Sequence, residues 1–139
     1  MEQEPYFLIR EQIDVIHRDQ IEAWGGLHGV RSADALESAI AQPLNVYFYG
    51  NGDLYEIAAA YAFHIAESQA YFDGNKRTGV QAAADFLEIN GIDTTPLPEL
   101  AAYEAMIRVA KHELDRSGLA VFLRDVLKRK PNPPPADVH

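Results

Sequence analysis

Two helical segments of this sequence meet at Phe72-Asp73-Gly74-Asn75-Lys76-Arg77-Thr78. An alanine-rich segment precedes the Asp-Gly-Asn turn, and a second segment follows it with two adjacent cations in its first turn. Free backbone N–H groups and the helix dipole attract anions to a helix N-terminus. Lys76 and Arg77 would add charged donors there. The heptapeptide therefore predicts a phosphate cradle, and a plain turn with solvated cations is the alternative.

Apolar residues on both sides of this turn recur at helical spacing. One stripe precedes the turn and one follows it: Leu54, Ile57, Ala58, Tyr61, Ala62 and Ile65, then Val80, Ala83, Ala84 and Leu87. The many alanines predict close packing of the two helix backbones, which would hold the intervening loop rigidly.

The rest of the chain adds further helical segments. A first helix is predicted to end near Trp24, before Gly25-Gly26. A second should run from the N-cap Ser32 to Ala41, because Pro43 disfavours continuation. Two more are predicted near 98–113 and 117–129. The fold class is therefore all-α, a compact single-domain helical bundle over residues 1–130 without internal repeats.

Two segments fall outside this helical scheme. Val46-Tyr47-Phe48-Tyr49 has β-type residues beside the turn signal Gly50-Asn51-Gly52. It could form an aromatic loop packed on the core or a short β-like hairpin. Residues 131–139 form a proline-rich tail that is expected to be extended and disordered.

Composition excludes several classes of protein. The 139 residues suit one domain, and 47% of them are hydrophobic. The absence of cysteine excludes disulfides and thiolate metal sites. A net charge of −9 argues against nucleic-acid binding, including a helical DNA-binding domain. Without an apolar leader or a membrane-length apolar run, the expectation is a soluble cytoplasmic protein.

The region around the heptapeptide resembles the Fic/Doc superfamily, in its death-on-curing (Doc) branch. The resemblance rests on the run from His64 to Thr78, and it extends over roughly residues 10 to 130. Upstream it includes Gly25-Gly26-Leu27-His28-Gly29-Val30-Arg31, and downstream it includes Ala82 to Gly91. The resemblance implies the helical Fido fold, with a mobile flap before the motif that aligns the target by strand pairing. Val46, Tyr47, Phe48 and Tyr49 occupy the place of that flap.

One position departs from the family pattern His-x-Phe-x-Asp-(Gly/Ala)-Asn-Lys-Arg-Thr. Here Gln69-Ala70-Tyr71 stands where His-x-Phe is expected. Tyr71 can fill the aromatic position, but the carboxamide of Gln69 does not titrate near pH 7 and cannot accept the proton of an attacking hydroxyl. His64 is expected to be a half-buried structural residue, and no role is assigned to the other histidines.

A second departure separates two chemistries of the family. AMP-transferring members carry Gly-Asn-Gly-Arg-x-x-Arg, whereas this chain has Lys76 in place of the second glycine and Val80 in place of the second arginine. That is the Doc pattern. It implies phosphoryl transfer from ATP or another nucleoside triphosphate to a protein hydroxyl, on a translation elongation factor in that branch.

The resemblance also implies the residues of the site. Gln69, Asp73, Lys76 and Arg77 are the catalytic candidates, and Asp73 would hold Mg²⁺. The candidates for binding the nucleotide phosphates are Gly74, Asn75, Lys76, Arg77 and Thr78. Since the chain has no clear inhibitory helix motif, a separate antitoxin partner is expected. The alternative is a nucleotide- or target-binding module that lost catalysis with the histidine.

Overall fold

The computed structural model describes residues 3–128, which form six α helices. They are α1 (Arg10–Trp24), α2 (Ala33–Phe48), α3 (Leu54–Ser68), α4 (Asn75–Ile89), α5 (Glu99–Ala110) and α6 (Arg116–Leu127). Among these residues the only β-type pairing is an isolated antiparallel bridge between Val30 and Tyr71. The all-α prediction is confirmed. The predicted proline-rich tail lies outside the described residues.

The central helix is α3, which contacts α2, α4, α5 and α6. Its apolar residues are buried on nearly all sides, and Ile57, Tyr61 and Ile65 are fully inaccessible to solvent. A Cβ atom added at Gly79 of α4 would lie 2.6 Å from the backbone oxygen of Ala62 in α3. The two backbones therefore approach too closely for any side chain at position 79. This agrees with the close packing predicted from the alanines.

Most helix boundaries follow local signals. Asp53 caps α3 in a reciprocal capping box with Glu56, and Ser32 caps α2 through a hydrogen bond from the Ala35 N–H. The first helix ends at Trp24 as predicted. The last helix begins at Arg116 after the N-cap Asp115, one residue before the predicted start. Its Asp115 carboxylate accepts the Gly118 N–H at 2.7 Å.

The second helix overturns two predictions. It does not stop at Ala41 but continues through Pro43 to Phe48, so Val46, Tyr47 and Phe48 are helical and Tyr49 is the C-cap. The predicted β-like flap is therefore wrong, and so is the aromatic loop. A proline inside a helix costs ~3 kcal/mol because it removes one hydrogen bond and crowds the preceding turn.

Tertiary packing offsets that cost. The Pro43 ring is itself buried. The Tyr47 ring centroid lies 5.9 Å from that of Phe7 in an edge-to-face arrangement, and the Phe48 ring stacks 6.1 Å from the same residue. Such aromatic pairs gain free energy beyond the burial of their area. The N-terminal segment thus holds the last turn of α2 against the core.

None of the helices within residues 3–128 combines the length and the apolar character needed to cross a membrane.

Candidate functional site

The heptapeptide forms the predicted turn into α4. Gly74 is the N-cap with φ +80°, and no side chain caps the helix. The first-turn N–H groups of Asn75, Lys76 and Arg77 therefore have no intrahelical acceptor. They face a cavity of about 200 Å³ whose lining residues are Gln69, Phe72, Asp73, Gly74, Asn75, Lys76, Arg77 and Tyr103. We call this cavity the cradle. Its donors and dipole suit an anion.

Gly74 is constrained in two ways. Its positive φ lies in the region that L residues rarely adopt. A Cβ atom there would also lie 3.0 Å from Cδ1 of Ile21 and 3.6 Å from the ring of His17. Only glycine lets the loop turn into α4 while it rests against α1.

Asn75 holds the shape of the loop through its side chain. Its Oδ1 accepts the Tyr71 N–H at 3.0 Å, and its Nδ2 donates to the Tyr71 carbonyl at 2.9 Å. The residue is buried. The side chain of Asn75 therefore fixes the backbone of Tyr71, and its own backbone N–H is one of the free donors in the first turn of α4.

The structure does not bring Thr78 to the cradle, although the resemblance made it a candidate phosphate ligand. Its N–H donates to the Gly74 carbonyl at 2.9 Å within α4. Its side chain is fully buried, and its hydroxyl has no partner among the described residues. Helix geometry explains the discrepancy, because Thr78 begins the second turn, where the N–H groups are already bonded.

Two side chains of α1 pack beneath the loop, and the sequence did not predict these contacts. The His17 ring stacks on the Tyr71 ring at 3.7 Å, and its Nε2 donates to the Asp73 carbonyl at 2.8 Å. Burial lowers the pKa of His17, which favours the neutral ring. The Tyr71 hydroxyl donates to Asp14 at 2.7 Å. The helical spacing of His17 and Asp14 could have shown their shared face but not the loop resting on it.

Gln69 lies on the rim of the cradle as the C-cap of α3, with φ 51°. The Arg31 guanidinium donates from Nε to the Gln69 carbonyl at 2.9 Å and from Nη2 to the same oxygen. The Gln69 side chain donates from Nε2 to the Ala66 carbonyl at 3.2 Å. The backbone of Gln69 is thus fixed by Arg31, and its carboxamide oxygen accepts no hydrogen bond from residues 3–128.

The segment beside the loop is residues 25–31. The Arg31 N–H donates to the Ala70 carbonyl at 2.7 Å, and the Phe72 N–H donates to the Gly29 carbonyl at 3.3 Å. These bonds flank the bridge between Val30 and Tyr71. The extended backbone that pairs with the motif is therefore this segment.

Residues 46–49 lie at the opposite end of the bundle. They precede the N-terminus of α3, whereas Gln69 follows its C-terminus. The 15 residues of α3 span about 22 Å. The predicted placement of Val46, Tyr47, Phe48 and Tyr49 beside the phosphate loop is therefore wrong, because α2 and α3 run antiparallel.

Asp73 is exposed at the lip of the cradle. Its Oδ2 accepts the Leu27 N–H at 2.6 Å. Mg²⁺ commonly binds one or two carboxylates together with substrate phosphates and water. A single exposed carboxylate beside a phosphate site is compatible with that role. No cluster of three or more metal-ligating side chains occurs among residues 3–128.

Arg77 lies between two aromatic rings. Its Cζ lies 5.3 Å from the Trp24 ring centroid and 5.4 Å from the Tyr103 ring centroid. Cation–π contacts at this range hold a guanidinium by ~0.5–1 kcal/mol each at exposed sites. The rings belong to α1 and α5, so sequence spacing alone had no signal for this clamp.

His64 is half-buried, as expected, and does not line the cradle. Its Nε2 accepts a hydrogen bond from Arg116 at 3.0 Å. Burial, reinforced by the Arg116 charge, lowers the pKa of His64 to about 4. The ring is therefore neutral at pH 7 and ties α3 to α6.

Comparison with known proteins gives consistent matches. The sequence model of the Fic/DOC family matches residues 7–87, which is more than half of the chain. The chain is 31% identical over 115 residues to Protein kinase doc of Escherichia phage P1, with coverage of 82% of this chain and 90% of that protein. It is 36% identical over 121 residues to Toxin Doc of Mycolicibacterium smegmatis (strain ATCC 700084 / mc(2)155), with coverage of 84% and 90%.

Proposed function

The chain belongs to the Fic/DOC family, and we propose that it is a Doc-like toxin that transfers a phosphoryl group from a nucleoside triphosphate to a protein hydroxyl. One observation carries this proposal. An uncapped helix N-terminus, two cations, an exposed carboxylate and Gln69 line a single small cavity. One relative is named a protein kinase and another a toxin.

The cradle supplies what phosphoryl transfer requires most, which is position and charge neutralisation. The first-turn N–H groups would bind the oxygens of the terminal phosphate. Lys76 would add a point charge, and Arg77 a planar pair of donors. Since Trp24 and Tyr103 already hold the Arg77 guanidinium, less entropy is lost when phosphate binds.

The transfer forms a bond between the target hydroxyl oxygen and the γ phosphorus, and breaks the bond from that phosphorus to the β–γ bridging oxygen. The nucleoside diphosphate is the leaving group. The hydroxyl proton passes to water, because Gln69 has no basic site at neutral pH. The free carboxamide oxygen of Gln69 can still accept a hydrogen bond from the hydroxyl and orient it. Catalysis then depends on the cradle more than on a general base.

Asp73 would hold Mg²⁺ at the lip of the cradle. A bound Mg²⁺ would neutralise charge on the phosphate oxygens during transfer. The bond from the Leu27 N–H to Asp73 fixes the carboxylate in place for that role.

The proposal includes two protein partners. The target is a hydroxyl-bearing side chain of a protein of the translation machinery, with an elongation factor as the first candidate. That target would place the action in the cytoplasm. A separate antitoxin would restrain the protein.

Gln69 favours one second candidate, a module that binds nucleotide or target without transfer. General-base catalysis typically contributes ~10²–10⁴-fold, so a protein without the base is slow. The two candidates differ in turnover and not in binding.

Incubation with γ-labelled or α-labelled ATP and a bacterial lysate tests the proposal. We expect label on a protein from γ-labelled ATP only. Label from α-labelled ATP would mean nucleotidyl transfer. No label from either, with nucleotide bound, would leave the binding module.

A further inference from the structure

A second cavity lies at the other end of α3 from the cradle. Its volume is about 450 Å³, and the N-terminal segment 3–6 forms one of its walls. The other walls come from the last turn of α2, the first turn of α3 and the end of α4, through residues that include Tyr47, Asp53, Leu54 and Ile89. We call this cavity the distal groove. It shares no lining residue with the cradle.

The walls of the distal groove are fixed by hydrogen bonds. The Asn90 side chain accepts the Tyr6 N–H at 2.9 Å through Oδ1 and donates to the Tyr6 carbonyl from Nδ2 at 2.9 Å. The Leu8 N–H donates to the Tyr61 hydroxyl at 2.9 Å. These bonds hold the N-terminal segment against the helices, so a ligand meets a preformed site.

The lining of the distal groove combines aromatic rings with negative charge. Tyr6 is 61% exposed, and Tyr47 of α2 is half-buried. Glu4 and Asp53 line the groove, and no lysine or arginine is among its lining residues. Asp53 already pairs with Arg124 at 2.7 Å, so the exposed Glu4 is the carboxylate left to attract a cation. Since aromatic-lined grooves bind polyproline II segments, this lining suits a segment with prolines and a basic residue.

This chain carries such a segment directly after α6. Residues 129–135 read Arg-Lys-Pro-Asn-Pro-Pro-Pro and lie outside the described residues. Their two cations precede Pro131 and Pro134, which have the Pro-x-x-Pro spacing that aromatic-lined grooves recognise. The charge of the segment is therefore opposite to that of the groove.

The last helix ends beside the distal groove. Arg124, in the last turn of α6, pairs with Asp53 of the groove. The Lys128 Nζ lies 5.6 Å from the ring centroid of Tyr55, in the first turn of α3. A polyproline II segment rises ~3.1 Å per residue, so residues 129–135 can span ~22 Å. That length exceeds the ~10–12 Å diameter of a helix, so the segment can pass over the start of α3 into the groove.

We propose that the distal groove binds residues 129–135 of the same chain as a polyproline II segment. Pro131 and Pro134 would pack on the rings of Tyr6 and Tyr47, and Arg129 or Lys130 would pair with Glu4. The attachment at Lys128 gives the segment a local concentration of ~1 mM or more, so a contact of modest affinity suffices. The bound segment would tie α6 to the N-terminal segment and to the end of α4. This inference does not depend on the proposed function.

Paramagnetic relaxation enhancement in the full chain tests the proposal. The chain has no cysteine, so Ala136→Cys accepts one nitroxide label just after the segment. We expect the amide signals of Tyr6, Leu54 and Asn90 to broaden several times more than that of Gln69, which lies about 22 Å away at the other end of α3.

Variants test the chemistry of the contact. Replacing Pro131 and Pro134 with glycine should reduce the broadening several-fold, because the polyproline II conformation is no longer favoured. Both changes lie outside the helical bundle, so they leave its folding intact. Tyr6→Ser should also reduce the broadening, since it removes one ring and keeps the backbone bonds to Asn90. Tyr49→Ser is the control, because Tyr49 is 85% exposed and does not line the groove.

Two results would overturn the proposal. The first is broadening that is no stronger at the groove than at Gln69, or that the glycine variant leaves unchanged. The second comes from a mixture of isotope-labelled parent chain and unlabelled chain carrying the nitroxide. Broadening of the groove signals in that mixture, equal to that within one chain, would assign the groove to the segment of a second copy.

Discussion

The two ends of α3 are built differently. At its C-terminal end, the loop from Gln69 to Arg77 is shaped by hydrogen bonds from side chains to the backbone and by two residues with positive φ. At its N-terminal end, the last turn of α2 is held by contacts among Phe7, Tyr47 and Phe48. Polar groups define the first region and aromatic packing defines the second.

This difference teaches where chemistry can reside. Hydrogen bonds fix the direction of individual groups, which a binding site needs. Aromatic packing is less directional and tolerates the irregularity of Pro43. Substitutions at the C-terminal end should therefore change ligand binding and turnover, whereas substitutions at the N-terminal end should change stability alone.

The largest expected effect is a gain at Gln69. Gln69→His should raise the rate of transfer by ~10²–10⁴-fold, because it restores a general base at the rim of the cradle. The rate should also acquire an inflection near pH 6.5, rising as the imidazole loses its proton. Single-turnover assays with γ-labelled ATP measure both. Gln69→Asn, which has no base, should show no gain. An unchanged rate in the histidine variant, with both substrates bound, would place Gln69 outside the attack position.

The next effect concerns two asparagines at opposite ends of α3. Asn75→Ala should lower the free energy of unfolding by ~2–4 kcal/mol, because it leaves the buried N–H and C=O of Tyr71 without partners. Asn45→Ala, on the exposed face of α2, should change it by less than ~0.5 kcal/mol. Denaturant titration measures both. Similar losses in the two variants would contradict the polar architecture assigned to the loop.

Two arginines test the cradle itself. Arg77→Ala should weaken nucleotide binding by ~1.5–3 kcal/mol, the contribution of a charge-assisted hydrogen bond. Arg124 also lies over an aromatic ring, 5.7 Å from the Tyr55 centroid, and pairs with Asp53 at the other end of α3. Calorimetry should show no change in affinity for Arg124→Ala. Equal nucleotide affinity of the Arg77→Ala variant and the parent chain would show that the cradle does not bind the nucleotide phosphates.

The smallest effect lies in the aromatic region. Tyr47→Ser should lower the free energy of unfolding by ~1–2 kcal/mol, since a half-buried ring and its edge-to-face contacts are lost. Nucleotide affinity should stay unchanged. Tyr49→Ser should alter neither quantity, because that side chain is 85% exposed. A weaker nucleotide affinity in the Tyr47 variant would show that the two ends are coupled.

Predictions from the sequence were accurate where a local signal, such as a glycine pair or a turn motif, by itself sets where a helix begins or ends. Trp24 followed by two glycines ended α1, and the Asp-Gly-Asn turn opened α4. It was wrong at Pro43 and at residues 46–49. Pro43 predicted a helix end, and residues 46–49 predicted an aromatic loop or a short β-like hairpin. Contacts with the distant residue Phe7 outweighed these local preferences.

The candidate site was likewise predicted only in part. The sequence located the loop, its cations and Gln69, because they are adjacent in the chain. Thr78 does not reach the cradle, because its N–H lies one turn into α4 and already donates to the Gly74 carbonyl. His17, Arg31, Trp24 and Tyr103 were missed because they reach the loop from three other segments.

The sequence by itself determined the all-α class, the helix–loop–helix that carries the cradle, and the substitution of glutamine for the motif histidine. These are local properties of spacing and residue type. Only the tertiary structure decided that α2 continues past Pro43, that residues 25–31 flank the loop, and that aromatic rings from α1 and α5 hold Arg77. Each of these depends on contacts between residues far apart in the chain, and their free energies are set by packing.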